Sequence, residues 1–415
     1  MGKGRSEVIT ALDVGTTKVC CFIARQDDAG DLAVIGIGHQ LADGMHCGTV
    51  IDAEAVEASI RAAVDGAERM AGTTISKVVV NVSGGAPQSR TLGVDMAISG
   101  HEVGAADLRA AMAEGRRICN GSASDVIHAL PVGYTIDGIR GIRDPQAMVG
   151  DRLGIDLHVV TARPGPVRNL EACLARGHLG IEDLVVSPYA AALSSLIEDE
   201  KRLGVTVIDM GGGTTSVAVF VDGTLAFCAV LPIGGQHVTN DIARGLLTAI
   251  GSAERLKTLY GSAIASPSDD RDMIDVPQIG EDEVGVSNLM PRSALVRIIR
   301  PRIEETLEMV RDCLAEYGMN RMAGRHVVLT GGACQLSRVP ELAARMLDKQ
   351  VRLGRPINVA GLAEATAGPA FAVCAGLLVY AARRPEIEAR RHFHLPQPVH
   401  GGMLARLGQW LKENF

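Results

Sequence analysis

A strand–turn–strand pattern occurs twice in this chain, and it restricts the possible folds more than any other feature. In the first copy, apolar residues 8–12 lead into the turn Asp13–Lys18, and a second apolar run follows. About half a chain later, residues 205–208 lead into Asp209–Thr215 and a further apolar run. A repeat at such a long spacing indicates an internal duplication rather than a short-period solenoid. We therefore predict two similar α/β lobes.

Each copy places glycine directly after a strand, which suits a turn that holds phosphate. Without a Cβ, glycine lets backbone N–H groups approach phosphate oxygens, and threonine hydroxyls add donors. A third glycine-bearing turn, Thr330–Ala333, follows another apolar strand. One such turn alone is weak evidence, because most glycine-rich turns only reverse the chain. The predicted nucleotide contacts in these turns are Gly15, Thr16, Thr17 and Lys18, then Gly211, Gly212, Gly213 and Thr214, and finally Gly331 and Gly332.

Asp13 and Asp209 hold equivalent positions in the two copies. Pseudo-twofold packing of the lobes would bring both carboxylates into one cleft, where two acids beside a triphosphate require a divalent ion between them. Mg²⁺ keeps several waters and takes few protein carboxylates, so we expect both aspartates to hold it through water. The alternative is that each aspartate only caps its own turn.

Lys18 ends the first turn. There its ammonium could reach the β and γ phosphates as a point charge. The alternative is a solvated hairpin lysine. No Walker A sequence occurs in the chain, which excludes a P-loop of that type.

Composition narrows the function classes. A length of 415 residues suits two to four domains. A formal net charge of −7 argues against a protein that coats nucleic acid, whose phosphates require a basic face. The polar N-terminus predicts no signal peptide, and the longest apolar run, residues 370–382, is shorter than the roughly 20 residues of a spanning helix. The sequence therefore predicts a soluble or peripheral protein without nucleic-acid partners.

Apolar periodicity predicts a first lobe, an inserted subdomain and a second lobe. Residues 84–162 change to short strands broken by glycine with one helix, which we interpret as the insertion. Residues 262–287 are polar and irregular, and they predict a surface loop with a hairpin. The predicted helices cover residues 53–70, 105–117, 166–177, 188–197, 240–250, 253–260, 293–317, 340–347 and 368–382.

The order of these elements resembles the actin, Hsp70 and sugar-kinase superfamily. A phosphate hairpin, the small-residue helix 188–196 and a second phosphate hairpin are followed by the turn Thr330–Ala333 and a final small-residue helix. In that superfamily, the third turn and a helix of the second lobe hold the adenosine. The resemblance implies that Glu254 and Lys257 contact ribose and adenine. The alternative is an exposed pair on a helix face.

Within the superfamily, four stretches are similar to the FtsA family of bacterial cell-division proteins. They are Gly234–Ala243, Ala253–Gly261, His128–Pro131 and Ile136–Ile142. The resemblance implies an actin-like two-lobed ATPase fold with duplicated RNase H-like domains and an inserted FtsA-type subdomain. It also implies ATP and Mg²⁺ as cofactors, with Gly234 and Gly235 in the nucleotide site.

The resemblance further implies an adaptor role. Proteins of this family form ATP-bound filaments that tether the tubulin-like protein FtsZ to the inner membrane, with a partner surface within residues 236–291. The expected partners are FtsZ, further copies of the chain, anionic lipid on the cytoplasmic face of the inner membrane at the division site, and other divisome proteins. The expected subdomains are 1A (6–83, 163–200 and 361–385), 1C (84–162), 2A (203–235 and 292–360) and 2B (236–291), followed by a linker (386–402) and a membrane-targeting helix (403–415).

Ser187 departs from the hydrolytic relatives. Hsp70-like proteins carry a glutamate just before the proline of the small-residue helix, where it orients the attacking water, and this chain has Ser187 before Pro188. A hydroxyl cannot act as a carboxylate base at neutral pH. We therefore predict at most slow ATP hydrolysis, with nucleotide acting mainly as a ligand that closes the lobes.

Residues 403–415 carry an apolar stripe typical of an interfacial helix. Burying a large apolar side chain is worth about 1.5 to 3 kcal/mol, and a cation near an anionic leaflet about 1, so apolar burial dominates lipid binding. A helix this short is marginal alone, so we expect it to fold as it binds and to hold well only as part of a filament. The alternative is that the stripe docks on the protein's own core or on another protein. The predicted membrane contacts are Met403, Leu404, Leu407, Trp410, Leu411 and Phe415, opposite Arg406, Gln409, Lys412 and Glu413.

Three other functions share parts of this pattern. A sugar or acetate kinase needs a catalytic carboxylate and a substrate pocket, which a short insertion and a lipid-binding tail do not explain. An Hsp70-type chaperone needs a substrate domain after residue 385. A pilus-assembly actin homologue shares the insertion but does not predict the tail.

Overall fold

A computed structural model describes residues 7–119, 124–279 and 288–383. The strands are β1 (Glu7–Val14), β2 (Lys18–Gln26), β3 (Leu32–Leu41), β4 (Met45–His46), β5 (Thr49–Val50), β6 (Lys77–Val82), β7 (Gln88–Ala97), β8 (Asp125–Ile136), β9 (Ile139–Ile142), β10 (Arg152–Ala162), β11 (Gly180–Val186), β12 (Val205–Met210), β13 (Thr215–Val221), β14 (Thr224–Leu231), β15 (Met273–Asp275), β16 (Leu289–Pro291), β17 (His326–Thr330) and β18 (Gln350–Leu353). The α-helices are α1 (Ala53–Ala71), α2 (Ala105–Cys119), α3 (Pro164–Arg176), α4 (Ser187–Ser195), α5 (Glu198–Leu203), α6 (Gly235–Leu246), α7 (Ile250–Tyr260), α8 (Arg292–Glu316), α9 (Met319–Met322), α10 (Val339–Leu347) and α11 (Ala372–Ala382).

The first lobe is built on a five-stranded mixed sheet in the order β11-β6-β1-β2-β3. β1, β2 and β3 form antiparallel hairpins, whereas β6 and β11 run parallel to β1. Alternate residues of a strand face opposite sides. Ile9 and Ala11 accordingly pack against α4 and α11, whereas Leu12 and Val14 pack against α1 and α3. The lobe is therefore a three-layer α/β/α sandwich.

The second lobe repeats this topology. Its strands have the order β18-β17-β12-β13-β14, in which β12–β14 replace β1–β3, and β17 and β18 replace β6 and β11. The strand directions also correspond, because β17 runs parallel to β12 and β18 parallel to β17. Helices α6, α8 and α10 cover one face, and α4 of the first lobe packs on the other. The predicted duplication is confirmed.

The insertion joins the sheet of the second lobe, although it leaves the chain of the first. β7 pairs with β14 at Gln88 and Ala229, so β14-β7-β10-β8-β9 continues that sheet to nine strands. The Ser89 hydroxyl reinforces the junction by accepting from the Cys228 amide at 2.7 Å and donating to its carbonyl at 3.0 Å. The expectation of short strands was wrong, because β7, β8 and β10 have 10, 12 and 11 residues. Glycine in these strands does not end them, since backbone pairing continues past it.

The two small-residue helices α4 and α11 pack closely against each other on the first sheet. A Cβ on Gly376 of α11 would lie 1.7 Å from the Ala190 carbonyl oxygen of α4, so only glycine permits this approach. The predicted final helix at 368–382 begins as a 3₁₀ turn at Pro369–Phe371, and its α-helical part starts at Ala372. α4 lies against both sheets, which places its first residue beside the cleft between the lobes.

The predicted helix at 240–250 was wrong in both bounds. α6 begins at Gly235 and ends at Leu246, after which Leu247 takes the left-handed conformation at φ 52°. The start was missed because no serine, threonine or aspartate cap marks it. Instead, the first helical N–H groups, of Gly235 and Gln236, donate to carbonyl groups of the preceding hairpin.

A hairpin was predicted within residues 262–287, and one is formed by β15 and β16, with Ile274 opposite Met290, but β16 lies beyond the predicted bound. Residues 384–415, which contain the predicted linker and membrane-targeting helix, lie outside the described residues. Over the ranges that the structure does describe, no helix is both long and apolar enough to cross a membrane.

Candidate nucleotide site between the lobes

The two Asp-x-Gly turns have the same backbone geometry. Gly15 N–H donates to the Lys18 carbonyl at 2.9 Å, and Gly211 N–H donates to the Thr214 carbonyl at 2.8 Å. A Cβ on Gly15 would lie 2.8 Å from the Lys18 oxygen, and one on Gly211 would lie 3.0 Å from the Thr214 oxygen. The first turn is therefore too tight for a larger residue at the glycine, and the second leaves little room for one. The duplication extends to the hydrogen bond that closes each turn.

The tips of the two turns lie against each other. A Cβ on Gly212 would lie 2.4 Å from Oγ1 of Thr17, and one on Gly213 would lie 2.5 Å from Oγ1 of Thr16. The Thr16 hydroxyl also accepts a hydrogen bond from Gly48 N–H at 3.1 Å. The fold thus brings both predicted phosphate turns to one place, with hydroxyl and amide groups facing across the cleft.

Asp13 and Asp209 are both buried, with 7% of each residue exposed. Burial raises the pKa of Asp13 to about 6, and the nearby Lys18 ammonium opposes this shift. Burial raises the pKa of Asp209 to about 7, the negative charge of Asp13 adds to the shift, and Lys18 again opposes it. The charge of Asp13 disfavours the ionised form of Asp209 because the two carboxylates share a region of low dielectric.

Neither carboxylate caps its own turn. Among the described residues, no hydrogen bond is made by the side chain of Asp13 or Asp209. Ser216, directly opposite Asp209 on β13, is also buried, and its hydroxyl has no partner there. Directly opposite residues share a face of the sheet, so Asp209 and Ser216 both lie on the cleft side of β12 and β13. Their side-chain oxygens accept no hydrogen bond from the described residues. A hydrated divalent cation matches this set of oxygens.

Lys18 is held at the floor of the cleft rather than in solvent. Its Nζ donates to the Ala370 carbonyl at 2.5 Å and lies 3.7 Å from the centre of the Phe371 ring. These contacts come from the turn that precedes α11. The ammonium therefore stands close enough to lower the pKa of both aspartates, and the alternative of a solvated hairpin lysine is wrong.

The third turn closes around Asp209. Gly331 has φ +87°, and a Cβ there would lie 2.6 Å from Oδ1 of Asp209. Its N–H donates to the Pro369 carbonyl at 3.1 Å, and the Thr330 hydroxyl donates to the same oxygen at 3.0 Å. In contrast, the nearest atom to a Cβ on Gly332 is 3.9 Å away. Only Gly331 is required by local geometry.

Gly234 and Gly235 support the second turn from behind. Gly235 N–H donates to the Gly211 carbonyl at 2.9 Å, and Gln236 N–H donates to the Gly212 carbonyl at 2.7 Å. Gly234 N–H donates to Nδ1 of His237 at 3.1 Å. These amides are thus engaged within the protein, and their direct effect is to shape the Gly211–Thr214 turn.

Glu254 and Lys257 form a cluster next to this helix start. Lys257 Nζ donates to Glu254 at 2.7 Å, to the Thr239 hydroxyl at 2.8 Å and to the Gly235 carbonyl at 3.2 Å. The Lys257 side chain is 15% exposed and that of Glu254 is 54% exposed. The alternative of an exposed pair on a helix face is therefore wrong for Lys257. The sequence could not show this, because it does not reveal that Lys257 and Thr239 are in contact.

Two family models match the chain. The model of the cell division protein FtsA matches residues 206–376, and the model of the SHS2 domain inserted in FtsA matches residues 84–161. The cell division protein FtsA of Rhizobium meliloti is 45% identical over 423 residues, which cover 99% of this chain and 96% of that relative. The chain belongs to the FtsA family. The family resemblance predicted from the sequence is confirmed, and the insertion is an FtsA-type subdomain.

Solved structures share the fold of this FtsA chain at lower identity. A chain of the PilM–PilN type IV pilus biogenesis complex has a TM-score of 0.66 at 18% identity, with 90% of this chain and 98% of that chain covered. MreB5 of Spiroplasma citri, solved bound to ADP, has a TM-score of 0.54 at 13% identity, with 92% and 98% covered. At these identities the likeness shows the fold alone, and it confirms the predicted actin-like class.

Asn81 is a polar residue of the cleft that the motifs did not reveal. Asn81 is 2% exposed and interrupts the apolar strand β6. Its Oδ1 accepts from Val14 N–H at 2.7 Å, directly after Asp13, and its Nδ2 donates to the Ser187 hydroxyl at 3.2 Å. The available signal was an asparagine within a run of valines, since a buried amide side chain requires partners.

Proposed function

We propose that this member of the FtsA family binds Mg²⁺–ATP in the cleft between its lobes, polymerises on the membrane and anchors FtsZ filaments to the inner membrane. The single observation that supports nucleotide binding best is the meeting of two Asp-x-Gly turns, closed by equivalent hydrogen bonds, beside two buried carboxylates. Membership of the FtsA family supports the division role. The ADP in the MreB5 structure supports nucleotide as the ligand of this fold.

The donor set suits Mg²⁺. Asp13 and Asp209 would hold the ion through water, and a divalent cation would restore both to the ionised form against the burial that raises their pKa. The bound ion supplies positive charge against the phosphate oxygens. Lys18 would add a second positive charge from the floor of the cleft by leaving the Ala370 carbonyl for a phosphate.

Backbone and hydroxyl donors complete the proposed contacts. The two turns supply Gly15, Thr16, Thr17, Gly211, Gly212, Gly213 and Thr214 for the phosphates, and the adenosine side is supplied by Gly234, Gly235, Glu254, Lys257, Gly331 and Gly332. Of these, Gly234 and Gly235 act through the shape of the second turn, because their N–H groups already have partners.

Slow hydrolysis follows from the environment of Ser187. Its hydroxyl is buried and accepts from Asn81. Because this residue is a serine, the start of α4 offers no carboxylate base to orient a water. We expect a steady-state turnover below roughly 1 s⁻¹, the low end of ordinary enzymes. Nucleotide then acts mainly as a ligand that holds the lobes together.

Membrane attachment is assigned to residues 403–415 through the apolar stripe that contains Trp410. The linker 386–402 would separate this helix from the last part of subdomain 1A, and subdomain 2B (236–291) would carry the FtsZ surface. The protein would act on the cytoplasmic face of the inner membrane at the division site, where further copies and other divisome proteins are its partners.

Electron microscopy on a lipid monolayer tests this function most directly. With ATP and Mg²⁺ on anionic lipid, we expect filaments of this chain that recruit FtsZ to the monolayer. Asp209→Asn should reduce nucleotide binding and filament formation together, whereas the exposed Asp65→Asn on α1 should leave both unchanged. If the protein instead stays as dispersed monomers that turn over a small substrate, its function would be that of a superfamily kinase rather than an adaptor.

A further inference from the structure

An open cavity lies away from the nucleotide cleft. It has a volume of about 960 Å³ and lies between the insertion on one side and the second lobe on the other. The insertion contributes β8, β9 and the start of α2, and the other wall consists of α5, α9 and the β13–β14 turn. None of the residues of the three glycine turns lines it. We call it the insertion groove.

The insertion groove combines an apolar surface with balanced charge. Its apolar lining includes Leu108, Pro131, Ile142, Leu225, Met319 and Met322. Three arginines and three acids lie around them, namely Arg109, Arg143 and Arg202 with Asp144, Glu198 and Asp222. A strongly acidic or basic ligand would be repelled by half of these groups. The groove therefore favours an amphipathic segment with nearly balanced charge.

The chain itself leaves the described structure at the edge of this groove. α11 ends at Ala382, and Nη1 of Arg383 lies 3.6 Å from Oε1 of Glu198, one of the lining acids. The pair is exposed and contributes little stability, but it marks where the following residues begin. Residues 384–402 can extend over roughly 60 Å, so residues 403–415 have more than enough reach to enter the groove. A tether of this kind raises the local concentration of the segment to about the millimolar range.

Size and charge also match. A 13-residue helix is about 20 Å long and about 10 Å wide, so one face of it occupies on the order of 800 Å³. The segment carries an apolar stripe with Arg406, Lys412 and Glu413 on the other face. With the stripe against the apolar lining, these charges stay on the solvent side, and because both signs are present the segment brings no strong net charge to the groove.

We propose that the insertion groove binds the chain's own residues 403–415, in competition with lipid. This inference rests on the proposed membrane role of that segment and adds its regulation. The stripe that inserts into lipid is the surface that occupies the groove, so one molecule cannot do both at once. Docking lowers the apparent affinity for lipid, because only molecules with a free segment can bind it. The apparent affinity is the intrinsic affinity multiplied by the fraction of molecules whose segment is free.

Trp410 is the only tryptophan of the chain, so its fluorescence reports on this segment without a label. We would measure acrylamide quenching of the full-length protein, dilute and without lipid, against a synthetic peptide of residues 403–415. The groove variant is Met322→Glu, which places a charge at the end of α9 on a residue that is 52% exposed. The matched control is Met70→Glu, near the end of α1 and 58% exposed, outside the groove. Both changes put an acid at a helix C-terminus, so their effects on folding should be similar.

We expect Trp410 to be several-fold less quenched in the wild type and in Met70→Glu than in the peptide, and as quenched as the peptide in Met322→Glu. Half-maximal binding to anionic phospholipid vesicles should need several-fold less lipid for Met322→Glu than for the other two. Equal quenching of wild type and peptide overturns the proposal, as does protection that persists in Met322→Glu. If no variant binds vesicles, the membrane role fails, while the quenching still decides whether the segment occupies the groove.

Discussion

The side chain of Asn81 links the Asp13 turn to Ser187 at the start of α4. Its Oδ1 accepts from Val14 N–H at 2.7 Å, and its Nδ2 donates to the Ser187 hydroxyl at 3.2 Å. β1 leaves its parallel pairing with β6 after Leu12, so the side chain of Asn81 replaces the backbone pairing that would have continued. One buried amide thus sets the position of the Asp13 turn relative to the start of α4.

The Asn81–Ser187 pair predicts coupled losses of stability. Asn81→Leu leaves the buried Val14 N–H without an acceptor and should lower the free energy of unfolding by about 1 to 3 kcal/mol. Ser187→Ala removes only one acceptor and should cost less. In urea unfolding, the double variant should lose less than the sum of the single variants. Strict additivity would show that the two side chains do not interact.

Asp209 predicts a pH dependence of the nucleotide-free protein. Its pKa is raised from 3.8 to about 7, so the folded state holds the proton longer than the unfolded chain. The contribution of Asp209 to the stability of the folded state is therefore complete below its ordinary pKa of 3.8, and it is lost as the pH rises through about 7. Asp209→Asn removes the penalty and should raise stability at pH 8 by about 2 to 4 kcal/mol, with little change at pH 4. Thermal unfolding across this range measures it, with the exposed Asp65→Asn as a control that should follow the wild type.

Gly331 and Gly332 provide a matched pair in one turn. Gly331→Ala combines φ +87° with a Cβ that would lie 2.4 Å from the Met210 carbonyl oxygen and 2.6 Å from Oδ1 of Asp209, so it should cost about 2 kcal/mol or more and weaken nucleotide binding. Gly332→Ala has φ −67° and no close neighbour, so stability should stay equal or rise by about 0.5 kcal/mol. Chemical denaturation and nucleotide titration compare the two. Equal behaviour of the variants would show that position 331 does not require glycine.

Trp410 and Gln409 provide a matched pair in the tail. Both changes to glutamate add one negative charge, but Trp410→Glu places it in the apolar stripe and Gln409→Glu on the polar face. Because apolar burial dominates, Trp410→Glu should abolish co-sedimentation with anionic liposomes, whereas Gln409→Glu should weaken it only slightly. Nucleotide binding should be normal in both. Retained sedimentation of Trp410→Glu would contradict the membrane role.

The sequence by itself determined the duplicated lobes and the residues that meet between them. Two copies of one turn must sit at the same place in two similar sheets, so equivalence of Asp13 and Asp209 followed from the repeat alone. The glycines and threonines that follow each strand likewise predicted where the three turns lie in the chain. These features depend on neighbours along the chain, which a sequence displays directly.

Only the tertiary structure decided the rest, because the contacts involved join residues far apart in the chain. The extension of the second sheet by β7 depends on Gln88 meeting Ala229. The start of α6 depends on carbonyl groups of the Gly211–Thr214 turn, since no local cap marks it. The location of Lys18 depends on Ala370 and Phe371. Burial gives both aspartates their raised pKa, and burial is a property of the assembled lobes rather than of any segment.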